Sequence, residues 1–278
     1  MPRPLPSSFS YLCPFECDLR RVGSNRDGGY VLPARAITQT AHLFSIGISN
    51  DWSFEVALNK LNNRMRIYAF DRSVGSLVFL YIGFRDILKR RSRNTRNPEE
   101  PRLAYAWTWI KMSARFRWFF RGRREFSRRW VKVTKTSKKE ISFSKAMSRV
   151  PRNGSIIIKV DIEGEEYELL EQIKEVMIER TNQISAMVFE LHDTESRRAE
   201  FEQFVSQVGE LMPVVHVHGN NCREYGADGL PAVIEVTFAK SDFVGKSRVL
   251  HFPRPRLDFP NDSEMPEMEI VFESPMAR

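Results

Sequence analysis

Apolar residues along this chain follow two rhythms. Some form short runs without alternation: His42-Leu43-Phe44-Ser45-Ile46, Ile67-Tyr68-Ala69-Phe70, Ile156-Ile157-Ile158-Lys159-Val160 and the stretch 184–191. Such runs, rich in β-branched and aromatic residues, read as strands buried on both faces. Between them apolar positions recur at helical spacing, as with Phe54, Leu58 and Leu61, and again with Leu169, Leu170, Ile173 and Val176. The pattern predicts helices over 52–62, 76–89, 141–150, 167–179 and 195–211. It predicts strands over 43–48, 67–70, 130–134, 155–162, 184–191, 214–217 and 233–238. Strands and helices in this order predict an α/β fold around a mostly parallel seven-stranded sheet. The first 20 residues read as a Pro-rich lead-in, Asp27-Gly28-Gly29-Tyr30 as a turn before a short strand, and 90–101 as a charged, Pro-broken loop. The length suits one domain over 1–278, interrupted at 75–134 between the second and third strands.

The interruption carries a helix pattern over 103–120. Leu103, Trp107, Ile110, Ala114 and Trp118 fall on one face, and Trp109, Met112, Phe116 and Phe119 on a neighbouring one. Only Thr108, Lys111 and Arg115 leave a narrow polar stripe, so the apolar face is broader than a surface helix needs. Charge singles out the same region. The chain has a net charge of +8, yet 85–135 alone holds 17 Lys and Arg against four acids, a local +13 that leaves the remainder at −5. Such asymmetry points to a polyanionic partner: an anionic membrane surface by preference, nucleic acid as the weaker alternative, or an acidic glycan. Tryptophans beside arginines suit a membrane interface or stacking on sugars and bases. Burial against the main domain or a second subunit is the competing reading, and the oligomeric state stays open. The apolar run 78–84 falls far short of the ~20 residues that span a bilayer, and the N-terminal residues lack a secretory apolar core. Cys13, Cys17 and Cys222 are too few and too odd for a disulfide framework, and no second pair stands at zinc spacing. These features predict a cytoplasmic protein, peripheral at the inner membrane face if the basic segment binds lipid.

Candidate chemistry collects at strand ends. The run ending at Val160 gives way to Asp161-Ile162-Glu163-Gly164 and then to a helix. In open α/β sheets the ligand crevice lies outside the carboxyl ends of the strands. The run ending at Ile46 meets Gly47, followed by Asn50, Asp51 and Ser53 with N-cap chemistry. Glycine there allows close backbone approach to a ligand. The next strand ends in Asp71, placed to accept hydrogen bonds from ribose hydroxyls. One glycine, rather than the three of the dinucleotide fingerprint, argues against a nicotinamide cofactor and leaves other nucleoside cofactors open.

Several segments together resemble a known family. Asp27-Gly28-Gly29-Tyr30-Val31, Ser45-Ile46-Gly47-Ile48 with Asp51-Trp52-Ser53-Phe54-Glu55, Tyr68-Ala69-Phe70-Asp71 and Lys159-Val160-Asp161-Ile162-Glu163-Gly164 resemble FkbM-type methyltransferases. Phe189-Glu190-Leu191-His192-Asp193, His216-Val217-His218-Gly219-Asn220-Asn221 and Leu257-Asp258-Phe259-Pro260-Asn261 fit as well. The resemblance implies a Rossmann-like class I methyltransferase fold with helices on both sheet faces and an antiparallel last strand inserted between its neighbours. It implies S-adenosyl-L-methionine as cofactor and a small-molecule or glycan acceptor, with O-methylation of a sugar, lipid-linked or small-metabolite hydroxyl. It places the cofactor near Asp27, Gly28, Gly29, Gly47, Glu55, Asp71 and Asp161.

A hydroxyl acceptor benefits from a general base. Asp161 is expected near the methyl end of the cofactor, with Glu163 or His192 as the base. The plainer readings are a helix-dipole carboxylate for Glu163 and a capping histidine for His192. Glu55 can equally pair within its own helix turn, and Gly28 and Gly29 can serve only their turn. His216 and His218 share a strand face, but with Glu190 they lack a third ligand at diagnostic spacing, so no metal is expected. Two rival functions remain: a nucleic-acid methyltransferase that clamps backbone with the basic segment, and a non-catalytic cofactor-binding protein.

Overall fold

Seven strands build the central sheet: β1 (His42–Ile46), β2 (Arg66–Phe70), β3 (Arg124–Ser127), β4 (Ile156–Val160), β5 (Ile184–Leu191), β6 (Val214–Gly219) and β7 (Ile234–Ala239). The computed structural model describes residues 4–88 and 102–273; the loop expected at 90–101 lies outside the described residues. The strand order is β6-β7-β5-β4-β1-β2-β3. β7 runs antiparallel to both neighbours, and every other pairing is parallel. This is the α/β architecture expected above, including the inserted antiparallel strand.

The unalternating runs are explained by burial on both faces. Ile156, Ile158 and Val160 of β4 pack into one core with Phe143, Ile173, Phe201 and Phe204 from α5 (Phe143–Met147), α6 (Leu170–Glu179) and α7 (Arg198–Leu211). Ile157, on the opposite side of the pleat, joins a second core with Ile37, Phe54 and Leu58 from α1 (Ala34–Gln39) and α2 (Ser53–Leu61). The chain leaves β1 toward β2 and β4 toward β5, in opposite directions. Adjacent β1 and β4 therefore form the switch point at which such sheets bind ligands.

Three departures from expectation have local causes. The third sheet strand is Arg124–Ser127, not 130–134. An edge strand has one neighbour and needs no continuous apolar run, so its polar sequence hid it, and it lies inside the segment read as an interruption. Trp130–Lys132 pairs instead with Glu140–Ser142 in a separate two-stranded ribbon. The helix expected at 141–150 shrinks to α5, because Glu140–Ser142 is extended and Ser142 caps the Lys145 amide at 3.4 Å. The lead-in is structured: Phe15–Cys17 pairs with Val244–Arg248, and Leu19–Val22 with Tyr30–Pro33.

The 75–134 segment contains two helices, α3 (Ser76–Leu88) and α4 (Arg102–Phe119), packed along each other. Of the two apolar faces on α4, one packs inward: Trp109 stacks on Phe79 with centroids 5.8 Å apart, and Phe116 meets Trp52 edge-on at 5.1 Å. The other leaves Trp107 and Trp118 exposed by 55 % and 61 %. Among the described residues no helix is long and apolar enough to cross a membrane.

Candidate functional site

The end of β1 is zipped to the ends of β4 and β2. The Asp161 amide donates to the Ile46 carbonyl at 3.1 Å, and the Gly47 amide to Phe70 at 3.0 Å. Gly47 sits at φ +77°, and a Cβ there would lie 1.5 Å from the Asp161 carbonyl oxygen. The close approach that demands glycine is therefore to the neighbouring strand end. Gly47, Asp71, Asp161 and Glu163 line one cavity of about 460 Å³, together with Trp130 and Lys132. Asp27, Gly28, Gly29, Glu55 and His192 do not line it.

Asp71 fixes the loop after β1. Its Oδ2 accepts the Ile48 and Ser49 amides, each at 2.8 Å, and its Oδ1 accepts the Ser73 amide at 2.7 Å and hydroxyl at 2.6 Å. A carboxylate offers about four acceptor positions, so the protein itself occupies those expected to serve a ribose. Asp51 Oδ1 accepts the Ser53 amide at 2.7 Å at the start of α2, although Trp52 occupies the N-cap position.

Asp161 stands at the head of a polar row. It accepts Tyr30 Oη at 2.9 Å and pairs with Lys159 Nζ at 3.2 Å. Burial alone would raise its carboxyl, but the Lys159 ammonium and the Tyr30 hydroxyl outweigh that and hold it below the usual range. Lys159 is buried and also donates to the Gly47 carbonyl. Burial lowers it, and the charges of Asp161 and Glu55 reverse the sign and raise it. Glu55 is 1 % exposed and accepts the Ser45 hydroxyl at 2.6 Å. It faces Ser45 and the buried Lys159 rather than the cavity, and its charge is one of those that act on Lys159. Gly28 and Gly29 form their turn: a Cβ on Gly28, at φ +82°, would meet Asp51 Oδ2 at 2.7 Å, and one on Gly29 the Ser24 carbonyl at 2.0 Å. Burial raises the Asp27 carboxyl, helped by the charges of Asp161 and Glu235.

Next along the row, Glu190 of β5 accepts Asn220 Nδ2 at 2.6 Å. Burial, then the charges of Asp161 and Glu235, push it well above the carboxylate range. Asp161, Glu190 and His192 bring ligand atoms within 4.8 Å of one another, the one such group among the described residues. Lys159 on Asp161 and Asn220 on Glu190 already neutralise or engage two of the three. His216 and His218 are no part of this group, although His218 shares its sheet face through Glu235, whose Oε1 lies 3.5 Å from His218 Nδ1. His216 Nε2 lies 2.9 Å from Asp258 Oδ1, close enough for an ion pair though not aligned as a hydrogen bond, and His218 Nε2 bonds Glu267 at 3.0 Å.

His192 is held in place. Its Nδ1 lies 3.0 Å from Glu166 Oε1, and its Nε2 lies 3.6 Å from Glu163 Oε2. Burial lowers the imidazole, but the Glu166 hydrogen bond and the charges of Glu166, Asp161 and Glu163 overcome it and raise it above its ordinary value. Glu166 is fully buried and also accepts the Ile162 amide at 2.9 Å and the Gly164 amide at 3.0 Å. Sequence reasoning missed Glu166, Tyr30 and Lys159. The detectable signal was Lys159, a lone charge inside a run of buried apolar residues. Three loops at this edge each carry a non-glycine residue at positive φ: Ser49 at +52°, Glu163 at +58° and Asp193 at +54°. Such backbone gathers at ligand-binding edges, where surrounding structure holds it.

No family model matches the chain, and no curated protein matches it. Among solved structures it is similar to a chain of a fibrillarin/Nop5p complex, with 11% identity over 72% of this chain and 73% of that one and a TM-score of 0.36. It is likewise similar to precorrin-6y C5,15-methyltransferase from Geobacter metallireducens GS-15, with 11% identity over 73% of this chain and 82% of that one and a TM-score of 0.32.

Proposed function

We propose that this protein is an S-adenosylmethionine-dependent methyltransferase of the FkbM type that methylates a hydroxyl of a sugar, lipid-linked or small metabolite. One observation carries the reading: Gly47, Asp71, Asp161 and Glu163 converge on a single cavity at the strand switch point. The resembling segments supply the loops around it. Its volume, about 460 Å³, suits a nucleoside-sized ligand, since small-molecule pockets span roughly 300–1,000 Å³. The residues present fit the cofactor's charge and shape. Glu163, beside the Lys159-paired Asp161, brings a carboxylate to the cavity for a cation, and the half-exposed Trp130 ring offers a face for a purine.

Bound S-adenosylmethionine would supply an electrophilic methyl group on a positively charged sulfur. The chain's own part is to hold the reactants in line and to take a proton from the acceptor. Asp71 acts through the Ile48–Ser49 amides, which it fixes at the cavity rim. With Nδ1–H donated to Glu166, the free His192 Nε2 is the proton acceptor, and Glu163 beside it is the alternative base. A raised imidazole is a stronger base, with its neutral form gained at higher pH. We infer a cytoplasmic location, peripheral to the membrane, a reading supported by three free cysteines.

The test is transfer of labelled methyl from S-adenosylmethionine into fractionated cell extract. Label in glycan or lipid fractions, lost with His192→Gln, is expected. Cofactor binding without any transfer contradicts the enzyme reading, and label confined to RNA moves the nucleic-acid rival to first place.

A further inference from the structure

Beyond the cofactor cavity, a groove of about 630 Å³ runs between α2 and the exposed side of α4. Val56, Met112, Trp118 and Phe119 form its apolar wall, and Lys60, Lys111 and Arg115 stand along it. None of these three cations is held in an ion pair with a described residue; Lys111 only overlies the Trp107 ring at 5.9 Å. The single acid lining the groove, Asp51, is engaged by the Ser53 amide. One loop borders both sites: Ser49 lines the cofactor cavity, and Asn50, Asp51 and Trp52 line this groove.

We propose that this groove binds an anionic phospholipid presented by a membrane. Lys60, Lys111 and Arg115 take the phosphate, and an acyl chain lies along Val56, Met112 and Phe119. The exposed side of α3, which packs against α4, decides between lipid and nucleic acid. Leu77, Tyr81 and Phe84 fall on one side of α3 at helical spacing and are exposed by 76 %, 66 % and 53 %. A phosphodiester backbone gains little from covering Leu77 and Phe84, whereas a bilayer removes them from water. Trp107 and Trp118, flanked by Lys111 and Arg121, have the mixed character that favours the headgroup level. Binding here is independent of methyl transfer.

The experiment is co-sedimentation of the full chain with phosphatidylcholine vesicles, with and without phosphatidylglycerol, and with single-stranded RNA as competitor. Binding to the anionic vesicles alone is expected, and Lys111→Gln with Arg115→Gln should weaken it about thirtyfold, at one decade or less per charge. Phosphatidylglycerol with brominated acyl chains should quench tryptophan emission, and Trp118→Phe should remove much of that quenching. Equal binding to neutral vesicles, unchanged binding by the double variant, or RNA binding without vesicle binding overturns the proposal. Calorimetric titration of the same variants with S-adenosylmethionine should be unaltered, which separates failure of the groove from failure of the methyltransferase reading.

Discussion

Glu166 Oε1 accepts from His192 Nδ1 at 3.0 Å and from the Ile162 amide at 2.9 Å, so one buried oxygen both orients the imidazole and closes the loop that carries Glu163. The proposed base, its orienting carboxylate and a loop at positive φ are thereby made interdependent.

The dyad predicts a specific pH signature. His192→Gln should lower turnover by about 10²–10⁴-fold while cofactor affinity holds. Glu166→Gln removes the main influence that raises His192. The rise of activity with pH should then shift to lower pH and reach a lower plateau. A Glu166→Gln profile that only scales down, with its midpoint unmoved, assigns Glu166 to loop closure alone.

Asp71 is predicted to matter through its loop. Asp71→Asn retains one acceptor oxygen and loses the other, so either the Ile48 and Ser49 amides or the Ser73 contacts go unmet. Each lost bond costs about 1–3 kcal/mol where the donor stays buried. Cofactor affinity should fall, and hydrogen exchange at Ile48 and Ser49 should quicken. Weakened cofactor binding with exchange unchanged would restore a direct ribose contact.

Alkaline pH should loosen the contact between His218 of β6 and Glu267, which lie 3.0 Å apart. Burial would lower His218, but Glu235 and Glu267 carry it up to about 10. A folded pKa raised above the unfolded one contributes stability that is complete below about pH 6.5 and is lost as pH climbs toward 10. Denaturant unfolding of the wild type should weaken over that window, and His218→Gln should show a flatter dependence. Parallel curves would remove His218 from the linkage.

Much of the fold was legible because inner parallel strands are buried on both faces. The unbroken runs at β1, β2, β4 and β5 carry that signature directly. β3 was not, because Arg124–Ser127 is a half-buried edge strand whose sequence resembles a loop. The strand-end residues Gly47, Asp71, Asp161 and Glu163 were legible from position alone, and they do share a cavity. Their contacts were not. The four acceptor positions of Asp71 are filled by residues from two separate loops, and Glu55 turns under the sheet toward Ser45. Glu166 was hidden because its role arises when the loop after β4 folds back to meet the end of β5.

Binding of S-adenosylmethionine at the carboxyl ends of β1, β2 and β4 is tested by hydrogen–deuterium exchange of the full chain with and without the cofactor. Exchange should slow at Gly47–Ser49, at the residues after Asp71 and at Ile162–Gly164, with α6 and α7 unchanged. Exchange that the cofactor leaves unaltered, or protection confined to the α2–α4 groove, would place the cofactor elsewhere or nowhere on the chain.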